Sequence, residues 1–480
     1  MGTAHGSQNS DLFRQQMIHN QLPNESSINT EGLLNEYYFE TSKQTDQLVH
    51  GNFSCSQMLN IYTNKQETYL SIGLHSSKDG KNQREPLNLV IVLDVSGSMG
   101  EYFHRKSLSS ESQTATNSRD ENKIDIAKQI LHELVEHMDS EHERLGVVLF
   151  NHNATLLQPI RLIKNIDREI LNDRIDHIRA DGSTNMESGM TMAISMLTDM
   201  LDEDNESRTN NNRILFLTDA LPNVGGSEKC LLDLAKRAVE RSSIYITYIG
   251  VGLDFNSDLV YELTKIRASN YFSVHSKESF RRILLTDFNY IVTPIAFNVR
   301  IFVESNKYEI DKVYGIPEGE NTVISNHIIT IDSYSASAMD KLNRIKGSLF
   351  LVKLKEKVSV HDHSSDNQIR LTIKYEKAND GQQQSLPSEM ISINGFNMNE
   401  SIRKAILLVQ YAIFIQAILR DVSEHTRTCD NEVKLRISRT MKNDLLKFRT
   451  HFVEEMKVLD DEQLTRELDI LDQFRYAEEI

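Results

Sequence analysis

Cysteine is scarce in this 480-residue chain: three residues, Cys55, Cys230 and Cys429, far apart, with no CxxC pair and no histidine pairing. That spacing argues against a disulfide framework or a thiolate zinc site and fits a reducing compartment. Excess positive charge is missing too. The chain has 53 Lys and Arg against 69 Asp and Glu, a net charge of −16. No basic cluster offsets it, so a nucleic-acid backbone is not an expected partner. The N-terminal MGTAHGSQNSDLFRQQ has no apolar centre and does not read as a secretory signal. Gly6 stands where a myristoylation pattern needs Ser or Thr. Long apolar runs are absent as well. The most apolar stretch, residues 405–419 (AILLVQYAIFIQAIL), is short for a bilayer span and contains Gln410 and Gln416. It is expected to be a buried core helix. The sequence thus predicts no transmembrane segment and an intracellular location. There is no repeat of domain-building length and no P-loop.

What is present is ordinary for globular protein: 39% hydrophobic and 25% charged residues, at a length for roughly two to four domains. Residues 1–50 are polar, with one short helix predicted at Thr30–Tyr38. Residues 51–86 contain a hairpin, two alternating runs within 57–76 around a polar turn at Asn64–Gln66. From 87 to 292 strands and helices alternate, the pattern of a parallel α/β sheet. The predicted strands are 88–94, 145–150, 154–158, 213–219, 244–251 and 271–275. The predicted helices are 123–138, 167–179, 186–201, 228–241, 257–268 and 278–291. Two polar insertions, 101–122 and 202–212, lack periodicity and are expected to be mobile. Residues 293–398 return to short alternating strands, the signature of a β-sandwich. Residues 399–480 are helical. The strands of 57–76 and 294–395 are expected to share one sandwich, with the α/β domain inserted between them.

Residues 87–99, LNLVIVLDVSGSM, carry the chemistry. A near-continuous apolar run predicts a strand buried on both faces. It leads directly into Asp94-x-Ser96-x-Ser98, which places a carboxylate and two hydroxyls at the carboxyl end of a central strand. In a doubly wound sheet of order 3-2-1-4-5-6 the first and fourth strands are neighbours at the ligand crevice. The fourth, RILFLTDALPN, ends at Asp219. Between them ADGSTNMESGM places Thr184 in a Gly-containing loop ahead of a helix. Asp94, Ser96, Ser98, Thr184 and Asp219 are therefore five oxygen donors able to converge on one hard cation, Mg²⁺ or Mn²⁺. Two carboxylates neutralise a divalent ion and the hydroxyls add no charge. The ion stays electrophilic and can take an Asp or Glu carboxylate from a partner. Blander roles exist for the same residues: Asp94 as an ordinary strand end, Ser96 and Ser98 as caps of the next helix. His104, His132, His137, His142 and His152 cluster only in sequence, and His132/His137 face differently on a helix. Met186, Met190, Met192, Met196 and Met200 read chiefly as core filling.

DVSGSM, GST and TDALPN, in this order, match the metal-ion-dependent adhesion site (MIDAS) of the von Willebrand factor A (VWA) domains, with all five motif positions present. The chain most resembles bacterial stand-alone VWA proteins. LPNESSINTEGLLNEYYF (22–39) is similar to their N-terminal segment, and LTDALPNVGG to their Asp-Gly-x-x-Asn-Val-Gly run. IRLTIKYEK and RKAILLVQYAIFIQAILRD are similar to their C-terminal region. The likeness is strong over 87–275 and weaker over the rest of 10–420. It implies an α/β, doubly wound, mostly parallel six-stranded Rossmann-like VWA domain, joined here to a β-sandwich and C-terminal helices. It also implies a non-catalytic, cation-dependent protein-binding module, reminiscent of cell adhesion. Two departures stand out: Ala220 replaces the usual Gly after the second Asp, where a turn with positive φ would be strained, and the 101–122 insertion lies beside the metal loop. The alternatives are a structural or adaptor subunit with a merely stabilising metal, and a Mg²⁺-dependent hydrolase using Asp94. Against the hydrolase, Ser96 stands where a DxDxT enzyme has its second acid, and Ser98 has no base placed by motif.

Overall fold

The computed structural model describes residues 7–8, 10–18, 22–40, 47–61, 65–77, 85–102, 122–204, 210–219, 228–251, 259, 262–263, 266–274, 280–316, 325, 327–339, 345–357, 368–393, 399–425 and 435–479. The strands that build the sheets are β1 (Val49–Leu59), β2 (Gln66–Ser76), β3 (Leu87–Asp94), β4 (Arg144–Phe150), β5 (Ala154–Leu162), β6 (Asn211–Thr218), β7 (Ile244–Val251), β8 (Asn270–Val274), β9 (Pro294–Glu304), β10 (Tyr308–Tyr314), β11 (Ile328–Ser335), β12 (Ser348–Glu356), β13 (Gln368–Lys377), β14 (Gln383–Ser385) and β15 (Glu389–Ser392). The main helices are α1 (Ser10–Ile18), α2 (Thr30–Glu36), α3 (Lys123–His137), α4 (Arg168–Asp176), α5 (Met186–Glu203), α6 (Glu228–Ser242), α7 (Glu400–His425), α8 (Arg439–Leu459) and α9 (Thr465–Arg475). The chain divides into two compact units: Gly80–Thr293, and a discontinuous one made of Met1–Asp79 with Pro294–Ile480.

The continuous unit is built on β3. Its eight residues are all buried. Leu87, Leu89, Ile91 and Leu93 point into one core with α3 and α4; Val90 and Val92 point into the other with α5 and α6. A two-residue period therefore feeds two layers, which is why the run is apolar throughout. β3 pairs in parallel with β4 on one side and β6 on the other. β7 and β8 continue in parallel beyond β6, and β5 closes the opposite edge antiparallel to β4. The order β8-β7-β6-β3-β4-β5 is the doubly wound order expected from the sequence. The chain leaves β3 in one direction and returns to β6 in the other, so the carboxyl end of β3 faces the switch-point crevice. Gly189 of α5 lets that helix lie close on the sheet. A Cβ there would stand 3.0 Å from Val92 and Phe150 side-chain atoms.

Several boundaries differ from the predicted ones. β5 runs past Pro159 to Leu162: on an edge strand proline sacrifices no ladder bond, and pairing resumes at Leu145 with Arg161. The polar loop 202–212 is narrower than predicted. α5 continues to Glu203, and β6 starts at Asn211 because its next residue, Asn212, accepts a 2.8 Å bond from the buried amide of Asn88. The predicted helix 278–291 is a π turn, Arg282–Asp287, followed by the short helix Phe288–Ile291. Half of 257–268 and most of the 101–122 insertion lie outside the described residues. The base of the insertion is described: Tyr102 and Asn122 form an antiparallel bridge. Met186, Met190 and Met200 are buried in the core. Met192 and Met196 pack against that core while also lining, with Met200, a groove of about 1160 Å³ between α5 and β5.

In the discontinuous unit, β2 pairs with both β1 and β12, and β10 completes a four-stranded antiparallel sheet in the order β10-β12-β2-β1. The second sheet is β11-β9-β13, with β14 and β15 both on the outer edge of β13. β1 starts at Val49, earlier than the run at 57, because its buried positions there include Gly51 and Cys55, small residues that mark the alternation only weakly. The N-terminal segment is not simply polar. It forms both α1 and α2, and Phe13, Leu33, Leu34 and Tyr37 join a core with α7, α8 and α9. Arg14 pairs with Glu467 (2.5 Å) and Glu36 (2.9 Å), and the Tyr37 hydroxyl donates to Glu467 (2.8 Å), so the buried Arg14 and Glu467 charges meet opposite charge, although Arg14 Nε and Glu467 Oε2 stay buried without a hydrogen-bond partner among the described residues. The apolar stretch 405–419 belongs to a 26-residue helix, long and apolar enough to cross a bilayer by length and composition alone. The charged ends extend it beyond the apolar run. Two thirds of its most apolar window (67%) is buried in the structure, where it serves as a core helix.

Candidate metal centre

β3 carries Asp94 to the end of the sheet, and β6, its parallel neighbour, carries Thr218 and Asp219 alongside; Leu93 stands opposite Leu217. After Asp94 the chain turns at once. The Val95 N–H donates to Phe150 O (2.8 Å), and Gly97–Gly100 forms one 3-10 turn. The Ser96 N–H folds back onto Asp94 Oδ1 (2.8 Å). The Ser96 and Ser98 hydroxyls lie 3.1 Å apart, and Ser98 Oγ donates to Asp219 Oδ1 (2.8 Å). Asp94, Ser96, Ser98 and Asp219 therefore form one continuous chain of contacts. Ser96 makes no side-chain cap on the turn that follows it, and the Ser98 hydroxyl is directed to the carboxylate.

Thr184 arrives by a different route. Its loop is laced to the first one: Asp181 N–H donates to Val95 O (2.8 Å), and Gly97 N–H to Gly182 O (3.0 Å). Gly182 makes this approach possible with φ +83°, and a Cβ there would stand 2.9 Å from His152 Nδ1. Asn185 N–H then donates to Asn151 O (2.7 Å), and its side chain caps α5 by accepting from Ser188 N–H (3.2 Å). Thr184 sits between these anchors, 1% exposed. Ala220 lies outside the described residues.

The two carboxylates are compensated differently. Asp94 is fully buried. It accepts from Thr218 Oγ1 (2.6 Å) and from the Ser96 N–H, and among the described residues no ammonium or guanidinium pairs with it. Burial pushes its carboxyl up to about 6, against the pull of the Thr218 and Ser96 hydrogen bonds and with a further push from the Asp219 charge. Asp219, by contrast, holds a cation of this chain. Lys123 Nζ lies 2.7 Å from Asp219 Oδ2, with the two side chains 7% and 0% exposed.

Among the described residues no three His, Cys, Asp or Glu side chains cluster as metal ligands. His132, His137 and His142 each bond to a separate neighbour. At the switch point two carboxylates and two serine hydroxyls meet, all oxygen, with the loop of Thr184 hydrogen-bonded alongside, and among the described residues the buried Asp94 has no cationic partner. That set suits a hard divalent cation. Sequence reasoning missed Lys123 and Thr218. Lys123 had a readable signal: a cation in the first turn of a helix opposes the macrodipole unless an acid meets it.

Residues 89–221 match the von Willebrand factor type A domain, and the unit that contains them has that α/β fold. A solved von Willebrand factor type A protein from Catenulispora acidiphila superposes on 88% of this chain and 89% of its own, with a TM-score of 0.55 at 12% identity. At that identity the likeness shows the fold alone. Two curated relatives are similar in sequence. The uncharacterized protein YfbK of Escherichia coli (strain K12) is 23% identical over 245 residues, 51% of this chain and 38% of YfbK. The uncharacterized protein sll0103 of Synechocystis sp. is 25% identical over 193 residues, 40% of this chain and 38% of sll0103. The matches span less than two fifths of either relative's length.

Proposed function

We propose that this chain is a non-catalytic protein-binding module whose VWA domain holds Mg²⁺ or Mn²⁺ through Asp94, Ser96, Ser98, Thr184 and Asp219. The ion then takes a carboxylate of a partner protein. VWA domains commonly serve protein interaction, which supports the coarser part of this reading. The observation that carries the finer part is the unbroken contact chain from Asp94 through Ser96 and Ser98 to Asp219 across two parallel strands. When bound, a divalent ion would supply an electrophilic centre. The protein's own contribution is to hold the donors in a buried corner beside the loop of Thr184, where competing water is reduced.

Affinity capture tests the proposal. Wild type and Asp94→Asn are exposed to an extract of the source organism in Mg²⁺ or in EDTA, and retained proteins are identified by mass spectrometry. The expected result is a partner retained by wild type in Mg²⁺ and reduced at least tenfold by EDTA or by the substitution. Partners retained equally under all conditions contradict it. The Lys123–Asp219 pair favours one second reading, an adaptor whose corner is closed by the lysine and takes no metal. Calorimetry without any Mg²⁺ heat would support that reading.

A further inference from the structure

We infer that Lys123 is a built-in competitor of the metal: its ammonium holds Asp219 in the cation-free protein and must leave that carboxylate for a divalent ion to be bound. The inference rests on the proposed cation site and adds the device that sets its affinity.

The geometry is specific. Lys123 is the first residue of α3, and its side chain reaches the carboxylate that terminates β6, 96 positions along the chain. The helix does not need this ammonium for its start. Asn122 already caps it by accepting from the Asp125 N–H (2.9 Å). A positive charge at this helix end is unfavourable on its own, so the lysine is placed for Asp219 and not for the helix. Its backbone is held independently, with the Lys123 N–H donating to Glu101 O (3.1 Å). The side chain alone has to move.

Charge counting gives the competition its sign. Asp94 and Asp219 bring two negative charges and Lys123 returns one positive. Without metal the corner carries a single excess negative charge, located on Asp94. A divalent ion added with the lysine in place would leave one excess positive charge and two cations sharing Asp219. That arrangement is repulsive in a buried corner. With the lysine expelled, the two carboxylates neutralise the ion. Displacing the ammonium therefore opposes every binding event, and removing it strengthens binding.

The test is calorimetric titration of Mg²⁺ and of Mn²⁺ into the full chain, stripped with EDTA and desalted, for wild type, Lys123→Met and Lys123→Arg. Lys123→Met is expected to bind at least tenfold more tightly than wild type. Lys123→Arg, which keeps the charge and can pair with the carboxylate through two N–H groups, is expected to bind more weakly than Lys123→Met. Melting supplies a second readout. Lys123→Met should melt below wild type in EDTA, where Asp219 loses its counter-ion, and that deficit should shrink or vanish in saturating Mg²⁺, where the ion takes the lysine's place on Asp219 in both proteins. Unchanged or weaker binding by Lys123→Met, or a melting deficit as large in Mg²⁺ as in EDTA, overturns the inference while the metal site itself stands. Absence of binding by wild type and Lys123→Met alike contradicts the proposed function and the inference with it.

Discussion

Asp94→Asn is expected to abolish divalent-cation binding, at least a hundredfold, and at the same time to make the cation-free protein more stable at neutral pH. The two effects share one cause. Burial holds the Asp94 carboxyl near 6, above its ordinary 3.8. The folded state therefore binds the proton more tightly than the unfolded chain. Between pH about 4 and about 6 stability falls as pH rises, and above 6 the full penalty is present. A shift of that size corresponds to about 3 kcal/mol. Asparagine removes the charge but leaves an amide to satisfy. Thr218 Oγ1 is 2.6 Å away and can turn to accept from it. A net gain of about 1–2 kcal/mol is expected. Thermal melts in EDTA should show the variant above wild type at pH 7.5 and level with it near pH 4. In saturating Mg²⁺ the order should reverse, because wild type alone gains binding free energy. A variant less stable than wild type in EDTA at pH 7.5 contradicts the account of Asp94 as an uncompensated ligand.

Asp219→Asn should abolish cation binding to the same degree and do the opposite to stability. Its carboxylate is the counter-ion of a buried ammonium, with the Lys123 side chain 7% exposed. Removing one partner of such a pair costs about 3–5 kcal/mol, since the remaining charge is left buried and unpaired. Urea unfolding in EDTA should show that loss, and adding Lys123→Met to Asp219→Asn should restore much of it. The non-additivity of this cycle measures the pair itself. Two carboxylates equivalent in the motif are thus expected to differ in the sign of their effect on the cation-free protein. The difference comes from one lysine.

The sequence made the α/β unit readable because its strongest signal, an apolar run ending in Asp94-x-Ser96-x-Ser98, is also its geometric centre. The alternation of strand and helix patterns marks a parallel α/β sheet, and the doubly wound order the structure shows brings Asp94 and Asp219 to one corner. What was not readable has physical reasons. Lys123 was hidden because a helix-start lysine looks like solvated surface until its partner, 96 positions away, is placed. The burial of α1 and α2 was masked by the polar composition around a few apolar residues, Phe13, Leu33 and Leu34, that meet α7 only in the folded chain. The helix expected in 399–480 around the apolar stretch 405–419 runs Glu400–His425, and Ile402 and Val422 near its charged ends are buried. The start of β1 is weakly marked because two of its buried positions are Gly51 and Cys55, small residues that give little apolar signal.

The most direct test of the central claim is an experimental structure of the full chain with Mn²⁺, located by its anomalous scattering. The account predicts one ion in the corner between β3 and β6, with oxygens of Asp94, Ser96, Ser98, Thr184 and Asp219 around it directly or through water, and Lys123 Nζ withdrawn from Asp219. A map with no manganese there at millimolar concentration, and with the Lys123–Asp219 contact intact, would contradict it.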